Sequence, residues 1–127
     1  MELTAIVVAL ALLEYSVITA LCGRARVRCG VVAPATSGNP TFERYFRVQQ
    51  NTVEQLIIFV PAMLLFGHYV SAPIGAGLGL VFIVGRALFA RGYYQDPPKR
   101  ALGFGLSLLS NLVLLLGGLI GAAAAYF

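Results

Sequence analysis

The sequence predicts an all-α integral membrane protein, a four-helix bundle forming one domain over residues 1–127. Three observations predict it. Hydrophobic residues make up 59% of the 127 positions and charged residues only 11%, against about 25% charge in ordinary soluble domains. Four apolar runs each reach the roughly 20 residues that a spanning helix needs. The basic residues gather around two of the three connections between those runs. The composition excludes a disordered chain, a water-soluble globule and a basic nucleic-acid-binding domain. The net charge of +4, from nine Lys/Arg and five Asp/Glu, therefore says less than where each charge lies.

The first helix is expected over Leu3–Gly23. It is too long and uninterrupted for a signal peptide, and Met1-Glu2 supplies no basic leader. Residues 24–40 form the first linker, with Arg24, Arg26 and Arg28 followed by the turn-rich Pro34-Ala-Thr-Ser-Gly-Asn-Pro40. The second helix runs from about Phe42 to Val70, polar in its first half and apolar in its second. Ser71-Ala-Pro73 makes a tight reversal, with Pro73 suited to a first helical turn. The third helix covers about Pro73–Tyr94. Asp96-Pro97-Pro98 ends it and opens the fourth, about Arg100–Phe127. Every Lys and Arg lies in or beside the first or third linker, so the positive-inside rule puts both linkers in the cytoplasm and both chain ends on the opposite side. Cys22 and Cys29 lack metal-ligand spacing and read as spectator thiols.

Polar groups inside the spans carry the functional information. At 100° per residue, Arg44, Arg47, Asn51 and Glu54 fall within an arc of about 80°, with Gln55 at its edge. Lipid cannot face such a stripe, because a charge at the bilayer centre costs about 2.5–3.5 kcal/mol on insertion scales. In the third helix, Arg86 lies about two turns inside Tyr93, while Arg91, Tyr93 and Tyr94 gather near the cytoplasmic end. In the fourth, Arg100, Gly103, Ser107 and Asn111 recur on one side. One reading is a cationic pocket, open to the cytoplasm, that receives a molecule carrying carboxylates. The other is a structural network in which Glu54 neutralises Arg47 or Arg86. Glu54 alone cannot balance five arginines, which favours a ligand. Glu14, mid-way along the first helix, is either a helix-contact partner or a proton-coupling carboxylate. His68 reads as an interfacial side chain. Gly75-x-x-x-Gly79 and Gly117-x-x-x-Gly121 read as close helix packing.

Phe42-Glu-Arg-Tyr-Phe-Arg-Val-Gln-Gln-Asn-Thr-Val-Glu, with the upstream Ala33-Pro-Ala-Thr-Ser-Gly-Asn-Pro40, resembles the helix-two signature of the membrane-associated proteins in eicosanoid and glutathione metabolism. That family includes the microsomal glutathione transferases, the leukotriene C synthases and the 5-lipoxygenase-activating protein. The exit of the third helix, Arg86-Ala-Leu-Phe-Ala-Arg-Gly-Tyr-Tyr followed by Lys99-Arg100, fits the same pattern. The compact length is like that of a bacterial member, which implies a bacterial inner membrane as the location. The resemblance implies a homotrimer with glutathione as co-substrate, bound between neighbouring subunits near the cytoplasmic side, and a hydrophobic electrophile arriving from the lipid. It implies that Arg47, Asn51 and Glu54 hold glutathione from helix two, that Arg86 and Tyr93 contribute from helix three, that Gln49 and Arg26 complete the pocket, and that Arg100 stabilises the thiolate.

Departures narrow the reading. The family tyrosine after the helix-two Glu is Gln55 here, and a third-helix tyrosine of the leukotriene synthases is Phe89. Their fourth-helix tryptophan falls near Leu112, and the serine beside the prostaglandin E synthases' arginine falls at Ala101. These losses argue against a dedicated eicosanoid synthase. Arg47 and Arg100 stand where the non-catalytic activating protein lacks arginines. The expected activity is glutathione transfer to lipophilic electrophiles, extending to lipid hydroperoxides as a peroxidase. The alternatives are a small proton-coupled exporter using Glu14 and a non-catalytic lipid-binding scaffold.

Overall fold

The computed structural model describes residues 1–127. It contains α1 (Glu2–Cys29), α2 (Pro40–Tyr69), α3 (Ala72–Gln95), a 3₁₀ turn over Pro97–Arg100, and α4 (Ala101–Tyr126). Each helix is long and apolar enough to cross a membrane.

Local chemistry sets the boundaries. α1 runs six residues past its expected end at Gly23, so Arg24, Arg26 and Arg28 are helical and the first linker shrinks to residues 30–39. Nothing before Gly30 breaks the helix, and Arg26 and Arg28 in its last turn complement the negative end of the dipole. Gly30 then takes a left-handed φ of 67°, and Val31 N–H closes back to the Arg26 carbonyl at 3.1 Å, the stop that a C-terminal glycine permits. The Asn39 side chain caps α2 by accepting from Phe42 N–H at 3.0 Å, with Pro40 at the first position. Ser71 caps α3 through Ile74 N–H at 3.2 Å, and Pro73 sits in the first turn as expected. Pro61 is accommodated inside α2 without ending it. A spanning helix tolerates this where its neighbours re-satisfy the backbone.

α4 packs along both α2 and α3, α1 packs on α2 and α3, and α1 and α4 lie diagonally apart. A stacked Phe59–Phe82 pair, with ring centroids 4.0 Å apart, centres the main apolar core together with Met63, Phe66 and Leu114. Large apolar side chains such as Leu13, Ile57, Val84, Leu109 and Ile120 stay more than half exposed. A water-soluble surface does not carry so much apolar area, whereas acyl chains accept it.

The two glycine pairs of the sequence reading are helix contacts: Gly79 lies against Val7 and Met63, Gly75 and Gly117 against Phe66, and Gly121 against Tyr69 and Val70. The tightest approach lies elsewhere. A Cβ on Gly103 would fall on the backbone of Phe89 and Gly85, so α3 and α4 touch main chain to main chain just after Arg100. Gly103→Ala is expected to lower stability by about 1–3 kcal/mol or more, because no flexible side chain can yield. Gly105→Ala, whose Cβ would meet nothing within 4 Å, is the control and should be neutral or slightly stabilising. Thermal unfolding of both in detergent checks this.

Candidate functional site

The polar half of α2 was expected to present one stripe, and the structure divides it. Arg47, Gln50, Asn51 and Glu54 line a hollow of about 320 Å³ with Phe89 and Tyr93 of α3, Arg100 of the 3₁₀ turn and Phe104 of α4. Its size lies at the lower end of small-molecule sites. Five of the eight candidate residues therefore converge: Arg47, Asn51, Glu54, Tyr93 and Arg100. Gln50 was missed, although it is only 60° around the helix from Arg47. Phe104 follows Arg100 by one helical turn and was equally open to detection.

Arg44 leaves the stripe. Its Nη1 donates to the Tyr94 carbonyl at 3.3 Å and the Gln95 carbonyl at 3.1 Å, which satisfies the open end of α3. Gln55 is likewise structural: Asn111 Nδ2 donates to its Oε1 at 3.0 Å and to its carbonyl at 3.3 Å, joining α4 to α2. The expected fourth-helix stripe behaves the same way. Gly103, Ser107 and Asn111 are buried against the bundle, Ser107 Oγ donates to the Gly103 carbonyl at 2.6 Å, and only Arg100 reaches the hollow.

Three candidates lie outside the hollow. Arg86 is 0% exposed and sits one layer behind it. Its Nη2 donates to Asn51 Oδ1 at 2.7 Å and Thr52 Oγ1 at 2.9 Å, and its guanidinium lies 4.2 Å from the Phe89 ring centre. Arg26 faces the linker: its Nη1 donates to the Ala35 carbonyl at 2.7 Å, and its guanidinium stacks 4.6 Å from the Phe42 ring. Gln49 turns to α1, its Nε2 3.5 Å from Thr19 Oγ1.

The structural network with Glu54 as counter-ion does not form. The sole ion pair within 4.0 Å joins the N-terminal amine to Glu2, so no arginine is neutralised by direct contact with an acid. Glu14 has no such partner and lines a separate cavity of about 520 Å³ between α1 and α3. His68 is exposed and edge-on to Tyr69, and Cys22 and Cys29 are both free thiols.

Arg100 is held in place without being used up. Its Nη1 donates to the Pro97 carbonyl at 2.8 Å, and its guanidinium lies 5.7 Å from the Tyr93 ring centre. A guanidinium carries five N–H donors, so most of them remain free for the hollow. Arg100 and Phe104 also line a second hollow of about 710 Å³ with Pro98 and Ala101. The arginine thus stands on the wall between a polar site and a larger, more apolar one. Two unpaired guanidiniums facing one carboxylate make the polar site net cationic. It suits a molecule with carboxylates for the arginines and one cationic group for Glu54.

The model of the MAPEG family matches residues 4–120. The chain belongs to the MAPEG family. It is 48% identical to an uncharacterized protein of Synechocystis over 91% of this chain and 85% of that one. It is 42% identical to microsomal glutathione S-transferase 2 of Homo sapiens over 82% of this chain and 71% of the relative. It is 34% identical to leukotriene C4 synthase of Cavia porcellus over 61% and 51%. The matched span takes in α2 and α3 whole, most of α1 and α4, and every residue of the polar hollow. MAPEG membership and four helices fit to span a bilayer make this an integral membrane protein.

Proposed function

We propose that this MAPEG chain is a membrane glutathione transferase that joins the glutathione sulfur to lipophilic electrophiles. The observation that carries the reading is the hollow in which Arg47, Asn51, Glu54, Tyr93 and Arg100 converge with both arginines free of protein acids. Glutathione has two carboxylates, one ammonium group and a thiol, a predominantly anionic set that suits a site with two guanidiniums, one carboxylate and neutral amide donors.

In the proposed reaction, Arg47 and its neighbours hold the carboxylates by charge-assisted hydrogen bonds, and Glu54 takes the ammonium. The thiol, with an ordinary pKa of about 8.5, loses its proton to water, and Arg100 stabilises the thiolate. The electrophile enters from the lipid through the 710 Å³ hollow that shares Arg100 and Phe104. The sulfur lone pair forms the new S–C bond as the leaving group departs with its bonding electrons. Lipid hydroperoxides are a second class of electrophile for the same thiolate. Catalysis is then mainly positioning and electrostatics. The cytoplasmic placement of the first and third linkers, in a bacterial inner membrane, gives the site access to glutathione.

The assembly belongs to the same proposal. Arg26 and Gln49 lie away from their own chain's hollow, so in a homotrimer they complete a neighbour's. The direct test is a calorimetric titration of the detergent-purified protein with glutathione, followed by conjugation to a chlorinated nitrobenzene read by absorbance. Saturable heat and product above the uncatalysed rate are expected; the absence of both would sink the reading. Co-expression tests the shared site. Arg26→Ala and Arg100→Ala chains mixed in equal amounts give random cyclic trimers in which about a quarter of the sites pair an intact Arg100 with a neighbour's intact Arg26. Activity should exceed that of either variant alone, and activity no higher than their average would place Arg26 outside the shared site.

A further inference from the structure

The residue behind the hollow sets the chemistry of one on its wall. An asparagine amide has an acceptor oxygen on one side and a donor NH₂ on the other, whereas a guanidinium only donates. Because Arg86 Nη2 lies 2.7 Å from the Asn51 oxygen, the amide can bond to it in one orientation only. The oxygen faces α3 and the NH₂ is left for the hollow that Asn51 lines. Arg86 is itself immobilised by Thr52 Oγ1 at 2.9 Å and by the face of Phe89. The bond also polarises the amide and strengthens its N–H donors.

We propose that Arg86 is a positioning residue that makes Asn51 an obligate donor, so that the hollow selects a carboxylate or carbonyl oxygen at this point and rejects an ammonium group. Arg47, Asn51 and Arg100 then present donors only, and Glu54 is the one charged acceptor. That polarity lets a zwitterionic peptide lie in one direction along α2 rather than two. The polarity rests on the contact geometry alone; the identity of the peptide rests on the glutathione reading above.

Asn51→Asp separates this role from simple packing. The new carboxylate keeps both the shape and the contact with Arg86, and pairs with a buried charge that has no acid within 4.0 Å. It also turns an acceptor toward the hollow. Thermal unfolding and glutathione calorimetry are measured on wild type, Asn51→Asp and Asn51→Ala. The Asp variant is expected to unfold at a higher temperature than the Ala variant, yet to bind glutathione at least about tenfold more weakly than it, since an unfavourable charge replaces a merely absent donor. A packing role predicts the opposite order of affinity, and Asp binding as tightly as Ala overturns the proposal. In the Asn51→Ala background, Arg86→Lys should cause no further loss of affinity, and a further loss would show that Arg86 meets the ligand by another route. If wild type gives no heat with glutathione, the glutathione reading fails. The role of Arg86 is then judged on stability alone, and an Asp variant no more stable than Ala overturns it.

Discussion

Arg100→Ala is expected to lower turnover about 25-fold at neutral pH, approaching 100-fold below about pH 6, while leaving glutathione affinity within a few-fold of wild type. The size follows from the thiol. Bringing its pKa two pH units below the ordinary value takes about 2.7 kcal/mol of preferential interaction with the thiolate, which one guanidinium in a partly dry site can supply. The sign in pH follows too. With the proposed lowering of the thiol pKa in wild type, the rate climbs through an acidic to neutral window and is flat above it. In the variant the climb moves up to the free thiol's range near pH 8.5, and the deficit shrinks as pH rises. Stopped-flow conjugation from pH 6 to 9 reads both curves. A deficit that stays constant with pH, or a parallel loss of affinity, would remove Arg100 from the thiolate and make it a binding residue.

Arg47→Ala should act on the other parameter, weakening glutathione about 10–100-fold with a smaller effect on the rate at saturation. Arg47 is exposed on the hollow and pairs with no protein acid, so its planar fork is available to a carboxylate. A hydrogen bond to a charged group contributes about 1.5–3 kcal/mol. Arg47→Lys keeps the charge but loses the two-point geometry and should fall between wild type and alanine. Calorimetry gives the affinity and initial rates give the rest. An unchanged dissociation constant would exclude Arg47 from the ligand.

The helices and most of their ends were legible in the sequence, because length, apolarity and proline or serine caps are local signals. The end of α1 was not, since arginines read as linker by composition but remain helical until Gly30 allows the turn. Within the site, Arg47, Asn51 and Glu54 could be read because they share one helix, where angular arithmetic gives a common face. That arithmetic gives direction around an axis, not what stands opposite. It therefore put Arg44 in the stripe, although the end of α3 claims it, and it grouped Gly103, Ser107 and Asn111 with Arg100 although they face the bundle. Tyr93 and Arg100 could be read as polar groups near the cytoplasmic ends of their helices, but their roles beside α2 came from the family resemblance, because spacing within one helix carries no information about another. Arg86 shows the same limit in depth. A buried arginine reads alike whether it touches a ligand or stands one layer behind it.

The bare backbone crossing at Gly85 and Gly103 gives the protein a rigid chassis at the point where Arg100, the proposed thiolate partner, is mounted. On the proposed reading, the side chains that line only the larger hollow, Pro98 and Ala101, can then be exchanged to admit bulkier or slimmer electrophiles without retuning the sulfur chemistry. Diversification of substrate range, in the laboratory or by descent, has a modular route here.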